Sequence, residues 1–261
     1  MNLVDLLLEK KDGIATITLN APDKLNAMST KMKESLLSAI DDVNKDDNVK
    51  VVILTGAGRG FCAGADLTEL TGAPKAAPSI YERLAGPPRP AFFRLEKPAI
   101  AAVNGACVGA GLSLALSCDI RIASDKAKFG SAFIKLGATP DNAMSYWLPR
   151  IMGTAAALEF LLTGKIVVGE EAKQLGLVSR VVPPEEVMKV SQELAAQMTQ
   201  YPLIALSLTK RLVYRSMIDD VGHHYDWEAW AGQICRETND NKETMNAFVE
   251  KRPTQFKEKQ K

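Results

Sequence analysis

Two glycine-rich turns carry most of the chemical information in this sequence. The first reads Gly56-Ala57-Gly58-Arg59-Gly60-Phe61-Cys62-Ala63-Gly64-Ala65-Asp66-Leu67, and the second Asn104-Gly105-Ala106-Cys107-Val108-Gly109-Ala110-Gly111-Leu112. Each follows an apolar run, Val51-Val52-Ile53-Leu54 and Ala99 to Val103. Small residues let the backbone approach a ligand closely and free its N–H groups to donate. Two such donors converging on a carbonyl oxygen, a thioester's for instance, stabilise the charge it gains when the α-carbon loses a proton. One donor contributes about 3–4 kcal/mol. A helix opening at Gly109 to Leu112 adds the positive end of its dipole. The alternative is that both turns are simply tight strand-to-helix connections.

Other chemistries fit these residues poorly. Gly56-Ala57-Gly58 invites a dinucleotide reading, but Phe61 stands where G-x-G-x-x-G needs its third glycine. There is no G-x-x-x-x-G-K-[ST] for phosphate and no G-x-S-x-G for a serine nucleophile. Cys62, Cys107, Cys118 and Cys235 show no C-x-x-C spacing, which argues against a disulfide framework or a zinc site. Cys62 reads as a small buried thiol rather than a nucleophile. His223 and His224, the only histidines, are adjacent in sequence. Neighbours on a helix or turn do not face one ligand, so they read as an exposed pair rather than a catalytic or metal site. No metal is expected.

The chain that positions these turns has 261 residues, 46% hydrophobic and 24% charged, as in an ordinary globular protein with a sizeable core. Lys+Arg and Asp+Glu number 32 and 31, a net charge of +1. That offers no broad field for nucleic acid or an anionic membrane. Met1 to Lys11 lacks a basic segment before an apolar one, and no apolar run approaches about 18 residues. A cytoplasmic, reducing compartment is the expectation.

Alternation at Ala15, Ile17 and Leu19 predicts a half-buried strand. Met32, Leu36, Leu37, Ile40 and Val43 predict a helix over Ser29 to Val43. Val51 to Leu54 predicts a strand buried on both faces. Thr71 to Pro90, rich in Ala, Pro and Gly, reads as a mobile segment over a site, with short helix around Ile80 to Leu84. Strands follow at Ala99 to Val103 and Ile120 to Ala123, with a small-residue helix from Leu112 to Ser117 between them. The remainder reads as helices: Asn142 to Met152, Thr154 to Leu162, Gly169 to Leu175, Pro184 to Thr199, Pro202 to Ser216, Tyr225 to Thr238 and Lys242 to Glu250. A short strand, Val178 to Val182, interrupts them. The class is α/β, with a core over residues 1–199 and a helical C-terminal region over 200–261.

The turns and their neighbours resemble the crotonase superfamily, the enoyl-CoA hydratase/isomerase proteins. The matching pieces are Gly60 to Leu67, Lys97-Pro98 through Gly111, Cys118-Asp119-Ile120-Arg121-Ile122-Ala123, Phe129-Gly130 and Leu136-Gly137. Pro140, Leu148-Pro149-Arg150, Leu162-Thr163-Gly164-Lys165 and Ala247 to Pro253 extend the match over nearly the whole chain. The resemblance implies a spiral of ββα units, with a helical C-terminal region that packs in homotrimers or dimers of trimers. It implies an acyl-CoA thioester substrate, CoA being part of that substrate and no separate cofactor being needed. Ala65 and Ala110 are implied to give the N–H groups for the enolate oxygen, Ala110 standing where many members have glycine. Ala63, Gly64, Asp66, Leu67 and Gly109 are implied to line the pantetheine path, and Asn26, Ala27 and Met28 to contact the CoA nucleotide. Lys251, Phe256 and Lys257 are implied to reach its phosphates, in the same or a neighbouring subunit. Their alternative is a solvated basic tail.

Departures from the family pattern bear on the reaction. Hydratases of the family use two glutamates, and this chain has Ser113 and Phe133 at the matching positions. Neither can transfer protons as a carboxylate does. Asp141, in Leu136-Gly137-Ala138-Thr139-Pro140-Asp141-Asn142, matches an acid carried by isomerases of the family, the Δ3,Δ2-enoyl-CoA isomerases and, with the closer motif, the ring-opening epoxyphenylacetyl-CoA isomerases. Asn142-Ala143-Met144 departs from the Ser/Gly residues usual after it. The expectation is an isomerase with Asp141 as base and Phe133 helping to exclude water. The alternative for Asp141 is a helix N-cap. Asp66 and Asp119 read as loop-fixing residues, and Tyr146 and Trp147 as one pocket wall and one core residue. Rival functions are a hydratase or hydrolase on the same fold, and a catalytically silent acyl-CoA binder.

Overall fold

The alternation at Ala15, Ile17 and Leu19 forms a strand in the computed structural model, which describes residues 3–71 and 91–256. Leu6–Lys11 (β1) and Ile14–Leu19 (β2) pair antiparallel. Val51–Gly56 (β3), Ala99–Val103 (β5), Ile120–Ser124 (β7) and Arg180–Val182 (β10) extend them in parallel, giving the sheet order β1-β2-β3-β5-β7-β10. The continuous apolar runs have a direct cause. Val52, Leu54, Ala99 and Ala101 point into the main core, while Val51, Ile53, Ile100 and Ala102 point into a second one. That second core is closed by Val187 and Ala195 of the helix Val187–Thr199 (α7). A strand covered on both faces has no need to alternate.

A second, four-stranded sheet, which the apolar pattern does not signal, supplies the other strand of each ββα unit. Gly60–Cys62 (β4), Ala106–Val108 (β6), Lys128–Gly130 (β8) and Ile166–Val168 (β9) lie in that order. The chain therefore winds as a spiral. It passes from β3 to β4 and on to the short helix Leu67–Leu70 (α2), then from β5 to β6 and on to Ala110–Leu116 (α3). The third turn runs from β7 to β8 and on to a 3-10 turn, Phe133–Leu136. Each glycine-rich segment is the place where the chain leaves one sheet for the other. This is the crotonase α/β spiral.

Thr30–Lys45 (α1) starts where expected. Ser29 caps it, its hydroxyl accepting from the Met32 N–H at 3.1 Å, and Met32, Leu36, Ile40 and Val43 are buried. Met144–Met152 (α4) and Thr154–Thr163 (α5) follow the third turn, Gly169–Gln174 (α6) follows β9, and Leu203–Arg215 (α8) follows α7. Two helices begin earlier than their apolar pattern predicts. Val221–Glu237 (α9) is capped by Asp220 and Asn239–Glu250 (α10) by Thr238. The helix expected at Ile80 to Leu84 lies outside the described residues. Among the described residues, no helix is long and apolar enough to cross a membrane.

Lys97, just before β5, is only 3% exposed, and its ammonium donates to the Asp46 carbonyl at 2.5 Å. Burial pushes its pKa down to about 8 from the ordinary 10.5. Below pH 8 folding carries the full cost of holding this charge inside. Above it the folded protein releases the proton while the unfolded chain keeps it, so the cost fades up to about pH 10.5. Urea midpoints of wild type and Lys97→Met should therefore diverge in favour of wild type between pH 7.5 and 9.5. Parallel curves would place that ammonium in water.

Candidate functional site

The two glycine turns meet. A Cβ built on Gly64 would lie 3.2 Å from the Val108 carbonyl oxygen and 3.9 Å from the Ala110 nitrogen, and one on Gly109 would lie 3.8 Å from the Gly64 Cα. Both glycines have left-handed φ, +116° and +53°, which L side chains rarely adopt. This close passage brings Ala65 at the end of the first turn beside Ala110 at the start of α3.

Backbone pairing then directs the N–H of Ala65. Met28 and Ala65 form a parallel bridge, in which Met28 N–H donates to Gly64 O (2.8 Å) and Asp66 N–H donates to Met28 O (3.2 Å). Successive backbone groups alternate in direction, so the Ala65 N–H faces away from Met28. On the second turn, Gly109 N–H is taken by Gly130 O at 2.9 Å. Among the described residues, no backbone acceptor takes the N–H of Ala65 or of Ala110. Two unclaimed donors on adjacent turns are what an enolate oxygen requires.

Asn26 belongs to this construction, though not as a nucleotide contact. Its side chain is 0% exposed. Nδ2 donates to Ala57 O (2.9 Å) and Gly60 O (2.8 Å), and Oδ1 accepts from Ala21 N–H (2.9 Å). The expectation of a ligand-facing Asn26 is therefore corrected: its amide rivets the first glycine turn to the segment before α1. Met28 is buried and contributes through its backbone, and Ala27 is half-buried beside it. Ala63 N–H bonds Leu25 O at 3.0 Å. Leu67, in contrast, is 56% exposed at the mouth of the turn.

Asp66 is fully occupied. One carboxylate oxygen accepts from the Thr68 N–H and hydroxyl (3.0 and 2.7 Å), the other from Lys24 Nζ (2.9 Å). The Thr68 hydroxyl, the Lys24 ammonium and the Thr68 N–H together hold its pKa at about 2. Asp119 is occupied likewise, by Ala99 N–H (2.6 Å), Tyr214 OH (2.8 Å) and Lys210 Nζ (3.1 Å). Both fix loops, as their motifs suggested. Cys62 is buried, and burial raises its thiol to about 11, so it is no thiolate near neutrality.

Asp141 differs from these. It is exposed, and no hydrogen bond or ion pair to its carboxylate is found among the described residues. The cap alternative does not hold: α4 begins at Met144 with Ala143 at its N-cap position and no side-chain cap, Asp141 contributing only its carbonyl to Met144 N–H at 3.0 Å. The following Asn142 and Ala143 both have left-handed φ, +47° and +63°. Ser113, buried in α3, donates from Oγ to the Asp141 carbonyl at 3.1 Å. Phe133 opens the 3-10 turn and packs, half-buried, on the main core. A cavity of about 500 Å³ begins beside this loop, lined by Ala143, Tyr146, Trp147, Phe92, Phe93 and Tyr214. Trp147 is 8% exposed and Tyr146 half-buried, so both serve as wall and only Trp147 as core.

The C-terminal tail is not at this site within one chain. Phe256 lies under the Lys50 ammonium, 4.8 Å from its ring centroid, and Lys50 immediately precedes β3. The first turn leaves from the other end of that strand, roughly 20 Å along it at about 3.3 Å per residue. Lys251 ends α10 in a left-handed conformation. Phe256 therefore sits at the opposite end of β3 from the first turn, and Lys257 lies outside the described residues. His223 and His224 take different carboxylates, Asp220 and Glu228. Among the described residues, no three His, Cys, Asp or Glu side chains are grouped to hold a metal.

Comparison with known proteins agrees with this architecture. The family model described as enoyl-CoA hydratase/isomerase matches residues 9–259. The short-chain-enoyl-CoA hydratase of Clostridium acetobutylicum is 38% identical over 257 residues, covering 97% of each chain. The 1,2-epoxyphenylacetyl-CoA isomerase of Escherichia coli is 36% identical over 255 residues, covering 96% of this chain and 97% of that one. A crystal structure of enoyl-CoA hydratase subunit I from Geobacillus kaustophilus superposes with a TM-score of 0.88 at 35% identity, covering 98% and 99% of the two chains. With its spiral, its paired glycine turns and matches of this length, the chain belongs to the enoyl-CoA hydratase/isomerase family of the crotonase superfamily.

Proposed function

We propose that this protein is an enoyl-CoA isomerase that moves a double bond from the 3 to the 2 position of an acyl-CoA thioester. Asp141 removes a proton from C2, the N–H groups of Ala65 and Ala110 hold the oxygen of the resulting dienolate, and the same carboxyl returns the proton at C4. Proton and charge balance within the substrate and one carboxylate. The observation that carries this reading is the Asp141 carboxylate: exposed and unpartnered among the described residues, on a loop bonded to the helix that bears Ala110. Overall identity does not separate the chemistries, since hydratase and isomerase relatives are about equally similar. Residue type does. Syn addition of water needs proton transfer at two centres, and Ser113 and Phe133 supply no carboxylate. The same reading includes self-association as a trimer or dimer of trimers, supported by Val221, Phe248 and Val249 lying 88%, 81% and 76% exposed on the C-terminal helices.

The test uses a 3-enoyl-CoA and a 2-enoyl-CoA in deuterated water, with products followed by NMR and mass spectrometry. Double-bond migration with deuterium entering the acyl chain, and no hydration, is expected. A 3-hydroxyacyl product would instead establish a hydratase with an unorthodox acid and base. Binding with neither exchange nor product would indicate a silent acyl-CoA binder.

A further inference from the structure

Ser113 occupies an unusual place in the hydrogen-bond pattern. The segment Gly137 to Ala143 that carries Asp141 is almost wholly exposed, and its internal bonds are local: Gly137 N–H to Ile134 O, Ala138 N–H to Phe133 O, and Met144 N–H to Asp141 O. Among the described residues, one hydrogen bond ties this segment to a distant part of the chain, from Ser113 Oγ to the Asp141 carbonyl at 3.1 Å. The hydroxyl also lies 3.4 Å from Gly109 O, so its one proton is directed mainly to Asp141. Ser113 itself is 1% exposed and sits one turn along the helix from Ala110. Immediately after Asp141, Asn142 and Ala143 adopt left-handed conformations with no glycine to ease them. Such a backbone persists only where its surroundings hold it.

We propose that Ser113 is a positioning residue for the reaction, fixing the Asp141 loop against the helix that presents the Ala110 N–H. The inference rests on Asp141 being the base. The hydroxyl touches no reacting atom; it sets the distance between the proton-transfer group and the oxyanion donors. A displacement of about 1 Å at such a group lowers turnover by about a hundredfold. The helix and the loop are 28 residues apart in sequence, and one proton links them. The same geometry gives the hydroxyl no part as a nucleophile, because it is buried and its acceptor, a backbone carbonyl, cannot take its proton as a base would.

The experiment compares wild type, Ser113→Ala, Ser113→Thr, Asp141→Asn and the Ser113→Ala/Asp141→Asn double variant, all as the full chain. For Ser113→Ala, kcat should fall tenfold to a hundredfold, with KM within about threefold of wild type and product-CoA affinity unchanged. Ser113→Thr, which keeps the hydroxyl, should recover most of the loss, and the double variant should be no slower than Asp141→Asn alone. Equal losses in the alanine and threonine variants, or a double variant slower than either single one by the product of their effects, would overturn the proposal. An inactive Asp141→Asn with a Ser113→Ala at wild-type kcat would overturn it while leaving Asp141 as base. An active Asp141→Asn would remove the base and this proposal together. If Ser113→Ala does not fold, Ser113→Cys, of similar size and a weaker donor, carries the same comparison.

Discussion

Asp141→Asn is expected to lower the rate of double-bond migration by about 10²–10⁴-fold, the range typical of losing a general base. Asparagine is nearly the same shape and cannot accept a proton at C2. The backbone carbonyl of residue 141 still meets Ser113 Oγ and Met144 N–H, so the loop keeps both of its bonds. No partner of the carboxylate is lost, since none is found among the described residues. Affinity for an acyl-CoA product should therefore stay within a few-fold of wild type, because the Ala65 and Ala110 donors are untouched. Stopped-flow or coupled assays of kcat, beside calorimetric binding of the product, separate the two quantities. A variant that turns over normally rules out the carboxylate as base. One that loses binding as well as rate would mean that Asp141 holds substrate rather than moving its proton.

A large structural effect should come from Gly111→Ala. A Cβ at residue 111 would lie 2.1 Å from the Cys62 carbonyl oxygen and 2.8 Å from the Cys62 side chain, inside any van der Waals contact. The first atom is backbone in β4, so no rotamer change relieves the clash, and helix α3 must move away from the four-stranded sheet. Overpacking ordinarily costs about 1–3 kcal/mol, and a backbone clash falls at or above the upper end. At about 2–4 °C per kcal/mol for a chain near this size, the melting temperature should fall by roughly 10 °C. Turnover should fall more than stability predicts, since the displaced helix carries the Ala110 N–H. Differential scanning calorimetry and kcat measured well below the new transition check the two halves. A melting temperature within about 2 °C of wild type would show that the helix has room to shift.

Legibility in the sequence followed the length of each element. Val51 to Leu54 and Ala99 to Val103 are readable as doubly buried strands because an apolar run of four or five residues, bounded by turn residues, is too short for a helix and too apolar for a loop. Gly60–Cys62 and Ala106–Val108 are not, because three residues display no period and their glycines read as turn. The second sheet is therefore invisible in the apolar pattern and enters only through the family resemblance, although both turns that lead into it stand out. The apolar pattern places helix α9 four residues late because Gly222 and the two histidines break it. The signal present is Asp220, whose carboxylate caps Gly222 and His223 N–H. Family resemblance points to Ala65, Ala110 and Asp141 but assigns Asn26 to the wrong partner. Its three hydrogen bonds reach Ala21, Ala57 and Gly60, up to 34 residues away, and nothing local marks such an amide as internal. The bond from Ser113 to Asp141 is hidden for the same reason.

The placement of Asp141 on an exposed loop, apart from the sheet-bound turns, bears on how new activities can arise on this scaffold. With Asp141 as base, holding the enolate is the task of main-chain atoms locked by bridges, strand register and the buried Asn26 amide, and no single side-chain replacement on the loop disturbs them. On the same reading, moving the proton is the task of a side chain on a separately tethered loop. The first task rests on close backbone contacts; the second rests on a mostly exposed loop. A library confined to residues 137–143 should thus sample different reaction outcomes from one shared intermediate without unfolding the protein.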